Sequence, residues 1–119
     1  MEMRTDRNQP WFASSLLIAI AVSIANLSAV AQSPADIYKT KCELCHGLSG
    51  SGDTPVGKEL NARDFHSPDV QTKSDDELVK VLKQGFKSNG KTVMQGYADK
   101  LTEAQIRGLV TYVREMGKK

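Results

Sequence analysis

The sequence predicts a small helical domain, and two observations lead to this prediction. Three segments after Gln32 begin with residues that favour helix starts, and no run after Gln32 alternates apolar and β-branched residues for long enough to form a sheet. The chain has 119 residues, which is enough for one domain. Its formal net charge is +2 with both signs mixed, so it lacks the concentrated basic face that nucleic-acid binding requires.

Residues 1–31 have the layout of a signal peptide. Two arginines come first, then an apolar run that includes Trp11–Val22, then the small residues Ala29-Val30-Ala31. A basic start, an apolar middle and a small-residue cleavage site are the marks of an export signal. We therefore expect cleavage after Ala31 and a periplasmic domain at residues 32–119.

An uncleaved membrane anchor is the alternative for this segment. The stretch from Trp11 to Ala31 is close to the length of about 20 apolar residues that crosses a bilayer. Serines and an asparagine interrupt it, however, and its A-x-A end suits a peptidase better than a membrane interface. In both cases the following domain faces the outside of the cytoplasmic membrane.

The first predicted helix begins at Ser33-Pro34-Ala35-Asp36. Serine is a favoured N-cap, proline is favoured in the first turn, and an acidic side chain interacts well with the positive end of the helix dipole. We expect Ile37 and Tyr38 to face inward and the neighbouring lysines to face water.

The motif Cys42-Glu43-Leu44-Cys45-His46 is the most specific feature of the sequence. Two thiols separated by two residues and followed at once by histidine form the signature of covalent haem attachment. In this interpretation Cys42 and Cys45 form thioethers to the two vinyl groups of one haem c. His46 is then an axial ligand, because an imidazole nitrogen is a suitable donor to haem iron.

Two other kinds of site use similar residues. A disulfide oxidoreductase places C-x-x-C beside a βαβ unit, and the sequence offers no strands for one. A zinc site needs about four ligands, and the exported part of the chain adds only His66 to the three in the motif. Cys45 and His46 are adjacent and poorly spaced to bind one ion together. Haem attachment is therefore the favoured interpretation.

Residues 47–73 are predicted to form a long loop, because glycines and prolines recur throughout and only Val56–Leu60 suggests a short helix. A loop of this length is uncommon in a compact domain unless it is functional. Packing around one edge of a haem is a function that would account for it.

Two capping boxes predict the remaining helices. The first is Ser74 to Glu77, and Gly85 is placed to end the helix that follows. The second is formed by Thr102 and Gln105, with Leu101 placed to pack against Ile106. Helical spacing continues through the apolar residues Ile106, Leu109, Val110 and Val113.

Together these segments resemble the bacterial class I cytochromes c, which are small single-haem electron carriers. The resemblance rests on YKTKCELCHG at 38–47, GDTPVGKELNARDF at 52–65, SDDELVKVLKQG at 74–85 and VMQGYADKLTEAQIRGLVTYVREM at 93–116. It implies an all-α fold, the small cytochrome c fold, in which three to five helices wrap around one covalently bound haem c. Histidine and methionine would be the axial ligands.

The resemblance also implies particular contacts. The first and last helices of the family cross through aromatic residues, which Tyr38, Leu109 and Tyr112 match in this chain. A proline carbonyl in related cytochromes accepts the second ring N–H of the axial histidine, and Pro55 is the candidate here.

Met94 is the second axial ligand that the resemblance implies. Family members place this methionine just before the capping box of the last helix, and a thioether ligand raises the reduction potential. Relatives often have proline next, whereas this chain has Gln95, so we expect a less rigid loop. Met116 is expected in the core or at a frayed helix end. The rival ligand His66 is expected in a solvent-facing turn.

We therefore predict a monomeric periplasmic monohaem cytochrome c, without enzymatic activity or catalytic residues, that carries single electrons between redox partner proteins. It would meet a membrane only through those partners or an uncleaved N-terminus. One alternative is a haem peroxidase or gas-binding protein in which Met94 is absent from the iron or easily displaced. Another is a docked electron-entry subunit of a dehydrogenase or oxidase complex.

Overall fold

The computed structural model describes residues 31–119, so the predicted signal peptide lies outside the described residues except for Ala31. Helices dominate this part of the chain, which confirms the predicted all-α class. The elements are α1 Pro34–Lys41, α2 Glu43–His46, α3 Pro55–Leu60, α4 Pro68–Gln71, α5 Asp75–Gln84, β1 Phe86–Ser88, β2 Lys91–Met94 and α6 Glu103–Met116. No helix among residues 31–119 has the length and apolar character to cross a membrane.

Helix α1 starts and ends as its sequence predicts. The Ser33 hydroxyl accepts a hydrogen bond from the Asp36 backbone N–H at 3.2 Å and so caps the helix. Ile37 and Tyr38 are buried. The helix stops at Lys41 because Cys42 adopts φ −121°, and helical geometry resumes in α2. The haem-attachment motif therefore forms a short helical turn of its own.

The segment predicted as a long loop contains two short helices. Helix α3 coincides with the predicted helical stretch and is capped by Thr54, whose hydroxyl accepts from the Gly57 N–H at 2.8 Å. Helix α4 was not predicted. It begins at Ser67-Pro68, the same serine–proline start that opens α1.

Helices α5 and α6 both begin with the predicted capping boxes, at Ser74/Glu77 and Thr102/Gln105. Gly85 ends α5 with φ +75°. Helix α6 crosses α1 through Tyr112 and Tyr38, whose ring centroids lie 5.3 Å apart, which confirms the predicted contact. The buried apolar residues that form the core are Ile37, Tyr38, Phe65, Val70, Val79, Tyr97, Leu101, Ile106, Leu109, Val110 and Met116.

The hairpin of β1 and β2 was not predicted. The two strands pair antiparallel, with Phe86 opposite Met94, and a register irregularity lies between Phe86 and Lys87. Asn89 and Gly90 form the turn with φ +50° and +76°. Met94 is thus the last residue of a strand, whereas the sequence suggested a loop.

Candidate haem site

The two cysteines and His46 lie on the single helical turn formed by α2 and its N-cap. The backbone N–H groups of Cys45 and His46 both donate to the Cys42 carbonyl, at 3.2 and 2.9 Å. Both thiols are free of disulfide bonds and partly exposed. The structure therefore brings three of the four predicted haem-site residues together by local geometry alone.

Helix α3 supports this turn from outside. The Thr54 hydroxyl lies 2.9 Å from the Leu44 carbonyl and 3.0 Å from the Cys45 carbonyl, to which it donates. Gly57 packs directly on the turn, since a Cβ at this position would lie 2.2 Å from the Cys45 carbonyl oxygen. Only glycine permits such a close backbone approach.

The ring of His46 is oriented by a backbone carbonyl and an aromatic side chain. Its Nδ1 lies 3.2 Å from the Arg63 carbonyl, and its ring stacks on Phe65 at a centroid distance of 4.5 Å. The prediction that Pro55 supplies this carbonyl is wrong, because Pro55 is in the first turn of α3. A proton on Nδ1 leaves the Nε2 lone pair for a metal, which is the arrangement expected of an axial histidine.

Burial shifts the titration of two groups in the motif. It lowers the pKa of His46, which favours the neutral imidazole that binds metals. It also raises the pKa of the Cys42 thiol to about 11, against a smaller opposing effect of Lys41. Both side chains are therefore neutral near pH 7.

Met94 is partly buried and packs against the core cluster. Two glycines let the chain cross itself at the base of the hairpin. A Cβ at Gly85 would lie 2.3 Å from the Met94 carbonyl oxygen, and one at Gly96 would lie 2.4 Å from the Lys83 carbonyl oxygen. The Tyr97 N–H then donates to the Leu82 carbonyl at 2.9 Å. The position of Met94 thus depends on the end of α5.

Two contacts link the Met94 segment to the His46 side of the molecule. The Tyr97 hydroxyl donates to the carbonyl of Lys41, the residue before Cys42, at 3.0 Å. The Arg63 guanidinium lies 6.0 Å from the ring centroid of Phe86, the strand partner of Met94. Sequence reasoning missed both, because each joins residues distant along the chain.

The two alternative ligand candidates lie elsewhere. Met116 is buried near Phe65 and Gly50, as predicted for a core residue. His66 is exposed, and its Nδ1 lies 2.6 Å from an Asp64 carboxylate oxygen. This agrees with the predicted solvent-facing turn.

The donor set suits haem c. Two unpaired thiols on one turn match two thioether bonds, and an imidazole held through Nδ1 matches a nitrogen ligand. Met94 adds a thioether on an element that is hydrogen-bonded, through Tyr97, to the residue before Cys42. Leu44, Leu48 and Phe86 are apolar side chains with exposed fractions of 73%, 82% and 46%.

Comparison with known proteins agrees with this chemistry. The model of the family described as "Cytochrome C oxidase, cbb3-type, subunit III" matches residues 29–113. The solved structure of the KustC0563 c-type cytochrome is similar, with 28% identity and a TM-score of 0.59 over 71% of this chain and 98% of that one. A mutant of KustC0563 gives 27% identity and a TM-score of 0.60, over 71% and 99%. No curated protein matches the chain.

The helical fold, the C-x-x-C-H turn and these matches define a class I c-type cytochrome, an electron-transfer haem protein. The chain belongs to the family of the cbb3-type cytochrome c oxidase subunit III. Membership in this family implies haem c as the cofactor.

Proposed function

We propose that this protein is a periplasmic monohaem cytochrome c that carries single electrons between redox partner proteins. Cys42 and Cys45 would hold one haem c covalently, and His46 and Met94 would be its axial ligands. When bound, haem c supplies a one-electron iron couple. The protein itself holds the thiols, orients the histidine and positions the thioether.

The observation that carries this proposal is the orientation of His46. Its Nδ1 is engaged by the Arg63 carbonyl while the two thiols lie on the same helical turn. A backbone carbonyl on the second ring nitrogen fixes the ring and the tautomer of a metal-binding histidine. The two free thiols beside His46 favour a haem site over a purely structural histidine.

Met94 is proposed as the sixth ligand because of where its rivals lie. His66 is engaged with Asp64 at the surface, and Met116 is buried near Phe65 and Gly50. With Met94 on the iron no position is open for peroxide or a gas.

The partner proposal rests on the surface around the motif. Exposed Leu44 and Leu48 flank His46, and the exposed Lys39 and Lys41 precede the motif. Apolar contact with a basic rim suits brief docking to an acidic redox protein, with rates that fall as salt rises. Electron-transfer rates that do not change with ionic strength would leave the lysines as solvated surface only.

A docked electron-entry subunit is the second candidate function, because the family description names an oxidase subunit. Size-exclusion chromatography of the protein from its native membrane and periplasmic fractions separates the two. A free carrier elutes as a small monomer, whereas a subunit elutes with a large haem-containing complex.

The periplasmic location is proposed from the basic start, apolar middle and A-x-A end of residues 1–31. Intact mass of the periplasmic protein should correspond to a chain that begins at Gln32 and carries one haem. A mass that includes residues 1–31 would support the membrane anchor instead.

The ligand assignment is tested by potentiometric titration of holoprotein variants. Met94→His should keep the fold and the covalent haem but lower the reduction potential by on the order of 0.1 V, because imidazole is a stronger donor than a thioether and favours ferric iron. Met94→Ala should let added cyanide or carbon monoxide bind readily.

His66→Ala and Met116→Leu are the matched controls, and neither should change the potential or the binding of cyanide. If His66→Ala lowers the affinity for haem or shifts the potential while Met94→His does neither, the assignment of Met94 is wrong. The visible spectra of the oxidised and reduced parent report the ligand field independently of these variants.

A further inference from the structure

We propose that Tyr97 is a positioning residue for Met94, acting through a polar brace formed by the side chains of Gln95, Tyr97 and Lys100 and the carbonyl of Lys41. The proposal rests on the role of Met94 proposed above. It concerns a part of the site that the C-x-x-C-H motif does not specify, namely what holds the methionine segment against the residues that bind the haem covalently.

The brace is a continuous chain of hydrogen bonds. The Lys100 ammonium donates to Gln95 Oε1 at 2.8 Å, and Gln95 Nε2 donates to the Tyr97 hydroxyl oxygen at 3.1 Å. The Tyr97 hydroxyl in turn donates to the Lys41 carbonyl at 3.0 Å. The Lys100 ammonium also lies 5.8 Å from the Tyr97 ring centroid, within the range of a cation–π contact.

Tyr97 is suited to transmit this restraint because its ring is 5% exposed and belongs to the core cluster. Its backbone N–H is fixed by the Leu82 carbonyl. A buried ring held at both ends has little freedom, so the Lys41 carbonyl and the Met94 segment must move together. Lys41 directly precedes Cys42, so the brace joins the two sides of the ligand set.

The hairpin itself gives Met94 little support beyond the crossing at Gly85 and the packing of Met94 on the core. It ends a hairpin whose strands have three and four residues, and a single two-stranded hairpin is marginally stable in water. All residues of β1 and the first half of β2 are exposed. The hairpin therefore needs an external attachment to hold Met94 in one place.

Gln95 links the two other side chains of the brace. Relatives that have proline after the methionine restrict the backbone through a fixed φ, but proline has no side-chain donor or acceptor. The glutamine amide both donates and accepts, which allows it to join Tyr97 and Lys100 at once. The loop that was expected to be less rigid is held by side-chain hydrogen bonds instead.

The test uses the ferric holoprotein and imidazole, which binds the iron only when the thioether leaves. Tyr97→Phe removes the hydroxyl and keeps the ring. We expect imidazole to bind roughly 2- to 10-fold faster and tighter, as follows from the loss of one or two ordinary hydrogen bonds. The thioether-to-iron absorption of the ferric protein should weaken. Gln95→Ala should have a smaller effect of the same sign.

Tyr112→Phe is the matched control, since it makes the same chemical change at the crossing of α1 and α6. Imidazole binding by this variant should stay at the parent value. The double variant Met94→Ala/Tyr97→Phe should bind imidazole as Met94→Ala does, because the brace acts only through Met94. A merely structural role of Tyr97 would give additive effects.

The proposal is overturned if Tyr97→Phe, with the helicity of the parent, binds imidazole at the parent rate. If Tyr97→Phe loses helicity, Gln95→Ala is tested instead, because it removes only an exposed amide. Imidazole binding by Gln95→Ala at the parent rate then overturns the proposal. If Met94→Ala itself binds imidazole at the parent rate, the assignment of Met94 is wrong, and the failure lies with the proposed function.

Discussion

The two halves of the proposed ligand set are held by different means. The tether region, residues 42–65, is fixed mainly by close backbone contacts. Gly57 touches the Cys45 carbonyl, and a Cβ at Gly52 would lie 2.6 Å from the Ala62 carbonyl oxygen. The Thr54 and Tyr38 hydroxyls each donate to a backbone carbonyl of this region. Because these contacts are made by backbone atoms, we expect most substitutions at these positions to disrupt the tether region strongly.

The methionine region, residues 85–101, combines a close backbone crossing at its base with side-chain contacts around an exposed hairpin. Its links to the rest of the protein include the brace at Tyr97, the Arg63 contact to Phe86, the backbone crossing at Gly85 and the buried side chain of Leu101. A contact made by a side chain can be changed by a single substitution without a change in the backbone. The comparison indicates that close backbone contacts fix the turn proposed to bind the haem, whereas side chains also hold Met94, the proposed sixth ligand, so we expect the potential to be tuned there.

Removal of the covalent attachment should have the largest effect. The double variant Cys42→Ala/Cys45→Ala is expected to yield a largely unfolded, haem-free chain, because a domain of this size is marginally stable without additional apolar surface. Far-UV circular dichroism and haem absorbance measure the outcome. Native helicity in a colourless protein would show that the tether region folds without its cofactor.

The next largest effect is expected at Gly57. Gly57→Ala would place a methyl group 2.2 Å from the Cys45 carbonyl oxygen and 2.4 Å from the Gly52 carbonyl oxygen. Because both contacts are backbone atoms, we expect the free energy of unfolding to fall by about 3 kcal/mol. Urea denaturation of the holoprotein measures it.

Gly90→Ala provides the control for Gly57 in the methionine region. Gly90 has φ +76°, and no atom of the described residues lies within 4 Å of a Cβ there. Only the backbone conformation is penalised, at a cost of about 1 kcal/mol. Equal losses at the two positions would contradict the proposed difference between the regions.

Tyr38 donates to the tether region and Tyr97 belongs to the methionine region, so the same substitution can be made for each. Tyr38→Phe removes a hydrogen bond to the Gly47 carbonyl of 2.6 Å, and Tyr97→Phe removes the one to Lys41. Each should lower the free energy of unfolding by about 1 kcal/mol. Only Tyr97→Phe should change imidazole binding. A change in imidazole binding by Tyr38→Phe would show that both regions control the sixth ligand.

The smallest effect concerns the ion pair between Lys83 and Glu103, which joins the helices on either side of the methionine region. The Lys83 hydrogen bond lowers the pKa of Glu103 below its ordinary 4.5. A lowered pKa in the folded state means that the stabilisation is complete above pH 4.5 and is lost as the pH falls through the folded-state value.

Glu103→Gln should therefore have a flatter acid limb in a plot of stability against pH. Thermal denaturation between pH 2 and 7 measures it, and the exposed residue Asp99, changed to asparagine (Asp99→Asn), is the charge-matched control. An acid limb that is identical in parent and Glu103→Gln would mean that this ion pair adds nothing at the base of the methionine region.

Local signatures predicted the helices well. Ser33, Ser74 and Thr102 cap helices as expected, because capping depends on residues within one turn. Helix α4 has a Ser67-Pro68 start that the same reasoning could have used. The hairpin also had a signal in Asn89-Gly90, a preferred turn pair, but its strands are too short to show alternation.

Among the site residues, too, local features could be predicted and long-range contacts could not. The positions of Cys42, Cys45 and His46 on one turn follow from their spacing. The Arg63 carbonyl that orients His46 could not be predicted, because a backbone oxygen leaves no mark in the sequence. The bond from Tyr97 to Lys41 spans 56 residues and depends on the packing of the whole core.

The crossing at Gly85 and Gly96 brings the two ends of the hairpin segment close together. The chain leaves α5 and returns at nearly the same point. The length of the segment in between therefore need not change the positions of α5 and α6. Because the Asn89-Gly90 turn is exposed, we expect residues added there to leave the helices unchanged. We therefore expect changes in length at this turn to leave Met94, the proposed sixth ligand, in contact with the core.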